Sequence, residues 1–214
     1  MKLQPAITNG LAALELPATP AQVAQLAQYL DLLARWNQVY NLTAIRDPAD
    51  MVTRHLLDSL AVALWVQGTR ILDVGSGAGL PGLPLAVMYP TQQFTLLDSN
   101  AKKTRFMTQS GAELALANVR VIRTRAEQYY PAQGFDCILA RAVAPLAQLL
   151  ELTHHLCAPG GRLLALKGPE AHNELQQLPA TWRLRGGHRL QVPGLDVERW
   201  LLHLEPNRSA THQL

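Results

Sequence analysis

Cysteine is scarce: Cys137 and Cys157 are the only two in 214 residues. Each lies in or beside an apolar run, which reads as a buried, reduced thiol and excludes a disulfide-stapled fold. His154 and His155 precede Cys157, but no second ligand pair matches them, so no metal is expected. Long apolar runs are also absent. Nothing approaches the ~20 residues of a bilayer span, and Met1-Lys2-Leu3-Gln4-Pro5 lacks the apolar core of a signal peptide. The expectation is a cytoplasmic protein with no membrane partner. Charged residues make up only 16% against 48% hydrophobic, the balance of a globular chain and not of a disordered one. The formal charge of +3 and a pI of about 9.1 permit a nucleic-acid partner without demanding one. There is no internal repeat, and no ribonucleoprotein or KH-type motif.

What is present centres on Ile71-Leu72-Asp73-Val74-Gly75-Ser76-Gly77-Ala78-Gly79-Leu80-Pro81-Gly82. An apolar run reads as a buried parallel strand and breaks at Gly75 into a loop with glycine at alternate positions. Pro81 suits the first turn of the helix that follows, because its missing N–H costs nothing there. Strand, glycine turn and helix together bring backbone N–H groups and a positive helix end to a ligand. This is the pattern of a nucleotide-type cofactor site.

Upstream, residues 1–67 read as a helical extension. Val23, Leu26, Leu30 and Leu33 mark one face of a helix over Pro20–Trp36, and the pattern fades through Asn37–Thr43. Asp47 and Pro48 start another helix, carrying Met51, Leu56, Leu57, Leu60 and Leu64. Arg54, His55, Asp58 and Ser59 on it read most simply as a solvated face. Downstream, residues 68–206 alternate strands and helices. The second strand, 93–97, ends at Asp98, about twenty residues past the loop, where an acid receives ribose hydroxyls; capping the next helix is the alternative. Strands at 119–123, 135–140 and 162–166 follow, the last after a tight turn at Ala158–Gly161, with helices at 99–116, 146–156 and 170–178. Ala126 and Glu127 fall at the sheet's mouth. Arg141 leaves the fourth strand where open α/β sheets bind ligands; a structural ion pair explains it equally well. Strands at 182–192 and 199–205 close the fold, and 207–214 read as a loose tail.

Gly77 to Gly82 fits the dinucleotide pattern G-x-G-x-x-G, so a nicotinamide dehydrogenase is one reading. Asp73 before the first glycine suits instead a cofactor with an ammonium group and no pyrophosphate. Asp-Val-Gly-Ser-Gly-Ala-Gly, the Pro159-Gly160-Gly161 turn and the two closing strands resemble the Rossmann-like class I methyltransferases. That resemblance implies an α/β fold with a seven-stranded, mainly parallel sheet and S-adenosyl-L-methionine as cofactor. After the fourth strand, Arg141-Ala142-Val143-Ala144 replaces the Asn/Asp-Pro-Pro-aromatic motif of amino-group methylation. Cys137, inside a strand, is no nucleophile for cytosine carbon-5. These absences favour a target with a free lone pair, such as a purine N7, reached by in-line displacement.

A closer resemblance covers about residues 30–170. Trp36-Asn37 with Tyr40-Asn41-Leu42-Thr43, Arg54-His55-Leu56-Leu57-Asp58-Ser59, the run Asp73–Pro84, Leu96-Leu97-Asp98-Ser99, Arg141-Ala142 and Leu166-Lys167-Gly168 together resemble the RsmG (GidB) family. The resemblance implies a bacterial, cytoplasmic enzyme that methylates N7 of guanosine 527 in the 530 loop of 16S ribosomal RNA. Position by position, it implies cofactor contacts at Gly75, Leu80, Ala126, Glu127 and Arg141, with Asp73, Gly77, Gly79 and Asp98 completing that set. Arg54, His55, Asp58, Ser59 and Lys167 align with motif positions near the active-site mouth, and none is singled out as a general base. Lys102, Lys103, Arg105, Arg120, Arg123 and Arg125 flank the mouth as phosphate contacts or as ordinary surface. A small ribosomal subunit or its precursor suits a monomer without an RNA module. A methyltransferase of small molecules or proteins, and a non-catalytic ribosome-assembly factor, are the alternatives.

Overall fold

The computed structural model describes residues 3–207. Its strands are β1 (Arg70–Val74), β2 (Gln93–Asp98), β3 (Val119–Arg123), β4 (Phe135–Arg141), β5 (Cys157–Lys167), β6 (Trp182–Leu190) and β7 (Arg199–Pro206). They form one sheet in the order β3-β2-β1-β4-β5-β7-β6. β1 to β5 run parallel, and β7 lies antiparallel between β5 and β6. Strand order reverses between β1 and β4, the crevice where open α/β sheets take ligands. Successive strand residues face opposite sides, so Ile71 packs in one core layer and Leu72 in the other.

The helices are α1 (Gln4–Ala13), α2 (Pro20–Tyr40), α3 (Pro48–Met51), α4 (Asp58–Leu60), α5 (Gly82–Met88), α6 (Ala101–Glu113), α7 (Leu146–Thr153) and α8 (Ala171–Leu175). Layer one joins α1, α2, α5 and α6 to the sheet through Leu26, Leu30, Leu83 and Phe106; layer two sets Leu146, Leu149 and Leu150 of α7 on the other face. Each such fully buried leucine contributes about 1.5–3 kcal/mol. α2 begins with a capping box, Thr19 and Gln22 bonding each other's backbone N–H, with Pro20 in the first turn. Gln22 Nε2 then reaches the carbonyls of Val87 and Met88 at 3.0 and 3.2 Å, tying α2 to the end of α5.

Several boundaries differ from expectation. The helix expected from Pro48 to Leu64 is not one α-helix. It becomes π-helical over Val52–Leu57, returns to α at Asp58, and ends at Leu60. α2 outlasts its apolar pattern and stops at Tyr40, where Asn41 takes a left-handed φ of 51°. α5 starts one residue late, with Pro81 as its N-cap. β5 absorbs the turn expected at Ala158–Gly161, and its pairing with β4 jumps from Phe135 opposite Cys157 to Cys137 opposite Arg162 across that stretch. α8 is shorter than expected. Asn207, placed in the loose tail, donates its backbone N–H to the Thr181 carbonyl at 2.7 Å; residues 208–214 lie outside the described residues. No described helix is long and apolar enough to cross a membrane.

Candidate functional site

Beyond the C-terminal ends of β1 and β4 lies a cavity of about 510 Å³. One wall is the glycine loop: Gly75, Ser76, Gly77, Ala78 and Leu80. Asp73, fully buried beneath it, accepts the Gly82 N–H through Oδ2 at 2.9 Å. A Cβ on Gly82 would stand 2.2 Å from Leu96 Cδ2 and 2.7 Å from that same oxygen, so only glycine fits. Gly77 is glycine for another reason. Its φ is +60°, and a Cβ there would meet nothing closer than 3.9 Å, projecting into ligand space instead of into protein.

Asp98 closes the loop from the second strand. Its Oδ2 accepts the Gly77 N–H at 2.9 Å and its Oδ1 accepts the Asn100 N–H at 2.8 Å. Asn100, not Asp98, caps α6. Tyr29 of α2, absent from the expectations, holds the loop from its far side: its fully buried hydroxyl donates to the Ala78 carbonyl at 2.8 Å.

The facing wall is made of side chains. The π-helical stretch exposes Arg54 and buries His55, while Asp58 and Ser59 are buried at the following turn, so the solvated-face reading is overturned. Asp58 is flanked by two guanidinium groups: Arg141 Nη1 donates to Oδ2 at 2.9 Å and Arg199 Nε to Oδ1 at 2.8 Å. Arg141 therefore both lines the cavity and makes an ion pair. Arg199 was not anticipated, since its only signal is a strand that topology inserts beside β5. Asn37 explains the Asn37–Thr43 motif: its side chain accepts the Thr43 N–H and donates to the Ile45 carbonyl. Thr43 Oγ1 in turn meets His55 Nε2 at 2.7 Å while accepting the Ile45 N–H. With His55 Nδ1 donating to the Arg54 carbonyl at 3.2 Å, Nε2 accepts the Thr43 hydroxyl proton. Burial first, and then Arg141, lower the His55 pKa to about 4, so the ring is neutral at pH 7.

Lys167 lines the cavity but is engaged, its Nζ donating to Glu174 at 2.7 Å and to the Ala144 carbonyl at 2.8 Å. Ser59 does not line the cavity, and its hydroxyl is buried without a partner among the described residues. Asp73, Gly79 and Asp98 support the loop without lining the cavity, and Ala126 and Glu127 stand outside its lining at a short 3₁₀ turn after β3. Arg123 pairs in register with Asp98 at the mouth, whereas Arg120 pairs with Thr95 near the start of β3 and lines a separate pocket. Burial pushes both cysteine thiols up to about 12, so neither is a ready nucleophile.

The residues present fit S-adenosylmethionine on two counts. The bare Gly77 leaves a cradle that a side chain would fill. Asp73 Oδ1 has no partner among the described residues, and burial, opposed by the Gly82 N–H, pushes its pKa up to about 7. A cation brought to the loop stabilises such a carboxylate, which suits a ligand bearing an ammonium group.

A profile of the family described as GidB, rRNA small subunit methyltransferase G, matches residues 22–202. The chain is 47% identical over 206 residues to the ribosomal RNA small subunit methyltransferase G of Nitrosococcus oceani, covering 96% of each. It is 51% identical over 197 residues to the protein of that name from Xanthomonas campestris pv. campestris strain 8004, covering 92% of each. Among solved structures, TrmN from Thermus thermophilus superposes with a TM-score of 0.55 at 21% identity, over 73% of this chain and 53% of that one. A SAM-dependent methyltransferase from Thiobacillus denitrificans, in complex with S-adenosyl-L-homocysteine, superposes with a TM-score of 0.53 at 15% identity, over 71% of this chain and 91% of that one. Those two structures speak to the fold alone.

Proposed function

This chain belongs to the GidB family of rRNA small subunit methyltransferases, and from that premise we propose that it methylates N7 of guanosine 527 in the 530 loop of 16S ribosomal RNA. When bound, S-adenosyl-L-methionine supplies an electrophilic methyl carbon. A guanine N7 attacks with a lone pair and has no proton to lose, so the site needs alignment more than a base.

The observation that carries this reading is the state of the cavity's own bases. His55 is neutral with both ring nitrogens hydrogen-bonded, Asp58 is held by two arginines, and Lys167 is held by Glu174. Among the described lining residues, none is a free general base. The glycine loop instead holds the cofactor through Gly75, Gly77 and Leu80, with Gly79 and Asp73 shaping the turn. Asp98 keeps lone pairs for ribose hydroxyls while bonding Gly77. Arg141 orients the methionine end, and Ala126 and Glu127 border the base. Residues 68–206 carry this cofactor fold, and residues 1–67 supply the facing wall through Thr43, Arg54, His55 and Asp58. The protein acts in the cytoplasm as a monomer, without metal, on the small subunit or its precursor.

The test is methyl transfer from labelled S-adenosylmethionine to 16S rRNA lacking the modification, offered free and in small subunits. Cleavage at 7-methylguanosine then maps the label. Label at one guanine of the 530 loop, lost in Asp98→Ala and Arg141→Ala, is the expected result. Cofactor binding with no label in either RNA form overturns the reading.

A further inference from the structure

Five cationic side chains line the cavity: Arg54, Lys103, Arg141, Lys167 and Arg199. Arg141 and Arg199 share Asp58, and Lys167 has Glu174. Arg54 and Lys103 form no ion pair among the described residues. They stand on different elements, Arg54 exposed on the π-helical stretch and Lys103 in the first turn of α6. Lys103 is half-buried, and its Nζ lies 3.9 Å from the position of a Cβ on Gly77, over the glycine loop. A half-buried ammonium facing ligand space with no carboxylate at ion-pair distance among the described residues favours an anionic ligand.

The cofactor is a poor candidate for that anion. S-adenosylmethionine carries a carboxylate, an ammonium and a sulfonium, so it is a net cation, and its demethylated product has no net charge. Five lining cations against the carboxylates of Asp58, Glu174, Asp73 and Asp98 leave at least one positive charge in excess, which disfavours the first relative to the second. RNA phosphates reverse that imbalance. We propose that Arg54 and Lys103 bind backbone phosphates beside the target nucleotide, and that this neutralisation makes RNA and S-adenosylmethionine bind cooperatively. The coupling is reciprocal, so each ligand raises affinity for the other by the same factor. The inference rests on the reading of the chain as an rRNA methyltransferase.

The experiment uses the full chain and reads binding, not turnover. Affinities for S-adenosylmethionine and S-adenosylhomocysteine are measured by calorimetry on the free protein. Cofactor affinity is then measured by equilibrium dialysis with 16S rRNA that already carries the modification, which supplies the phosphates without reaction. RNA affinity is followed across salt concentrations. Arg54→Ala and Lys103→Ala should each lower the salt slope of RNA binding by about one. Each should tighten S-adenosylmethionine on the free protein about two- to fivefold and leave the product's affinity nearly unchanged. Lys103→Met, which keeps the apolar stem, should behave as Lys103→Ala does and separates charge from packing. Weaker S-adenosylmethionine binding in the lysine variants would mark a direct cofactor contact and overturn the proposal. An unchanged salt slope, or no gain in cofactor affinity on adding RNA, also overturns it. A wild-type protein that transfers no label to rRNA overturns the functional reading itself, a separate result.

Discussion

The glycine-loop wall and the arginine wall face each other across one cavity, yet one is consecutive backbone and the other is side chains gathered from distant parts of the chain. Gly75 to Gly82 form the first within a single turn. The second needs Thr43, His55, Asp58, Arg141 and Arg199, brought together by the segment after α2, the π-helical stretch, the start of α4, β4 and β7. A backbone wall is specified locally and fails locally, through a misplaced Cβ. A side-chain wall is specified by the whole fold, and its members fail together.

Four measurements sharpen that contrast. The largest effect is expected at Asp58→Ala, which leaves Arg141 and Arg199 facing each other with no carboxylate. Breaking a buried pair costs roughly 3–5 kcal/mol, and the arginines' partial exposure (19% and 26%) places this case at the lower end. A fall in the urea midpoint with unchanged m is the readout, and Asp58→Asn should lie between wild type and alanine. Loss of activity with full stability would show that the wall is not cooperative.

His55 comes next. Its folded pKa lies below the unfolded value, so the unfolded chain takes up the proton first, and stability present above pH 6.5 is lost as pH falls toward about 4. Wild type should therefore lose about 2 kcal/mol more than His55→Gln between pH 7 and about pH 5. Asp73, raised to about 7, gains stability over the same descent, but it does so in both proteins and cancels in the difference. Parallel stability curves would refute the assignment of a neutral His55.

On the other wall, Gly77→Ala should cost about 1–2 kcal/mol of stability from its left-handed φ. Its cofactor affinity should fall more than tenfold, because the new Cβ enters the cavity; calorimetry with S-adenosylmethionine checks this. A cofactor affinity unchanged from wild type would erase the contrast between the walls. The smallest effect is expected at Tyr29→Phe, about 1–2 kcal/mol for leaving the buried Ala78 carbonyl unpaired. Cofactor binding there should weaken a few-fold, and an unchanged affinity would mean that α2 does not set the loop's position.

This contrast also governs how much was legible in the sequence. The parallel strands, the glycine turn and Asp98 could be read because each is a local run bounded by its own punctuation. The π-helical stretch could not: one extra residue in a turn barely disturbs a three-and-four apolar spacing, so Arg54–Ser59 read as one outward face. Tyr29 stayed hidden inside an amphipathic helix, where an aromatic residue reads as core. Arg199 starts a strand like any other arginine. Its meaning depends on β7 lying between β5 and β6, a fact of topology and not of spacing. β5 began earlier than expected because Cys157 already pairs with Phe135, and the register then skips Pro159 and its glycines before resuming at Arg162.

That inserted β7 has a consequence for the timing of synthesis. β6 leaves the ribosome before β7, but its sheet contacts run through β7, so it waits without a partner strand until residues 199–206 emerge. The same residues deliver Arg199 to Asp58, made some 140 positions earlier. The nascent chain thus holds its glycine loop early and its arginine wall last. Folding depends on contacts of long sequence separation, which form slowly and leave edges open meanwhile. A pause in translation between β6 and β7 would hold the enzyme with one wall finished and the other unassembled.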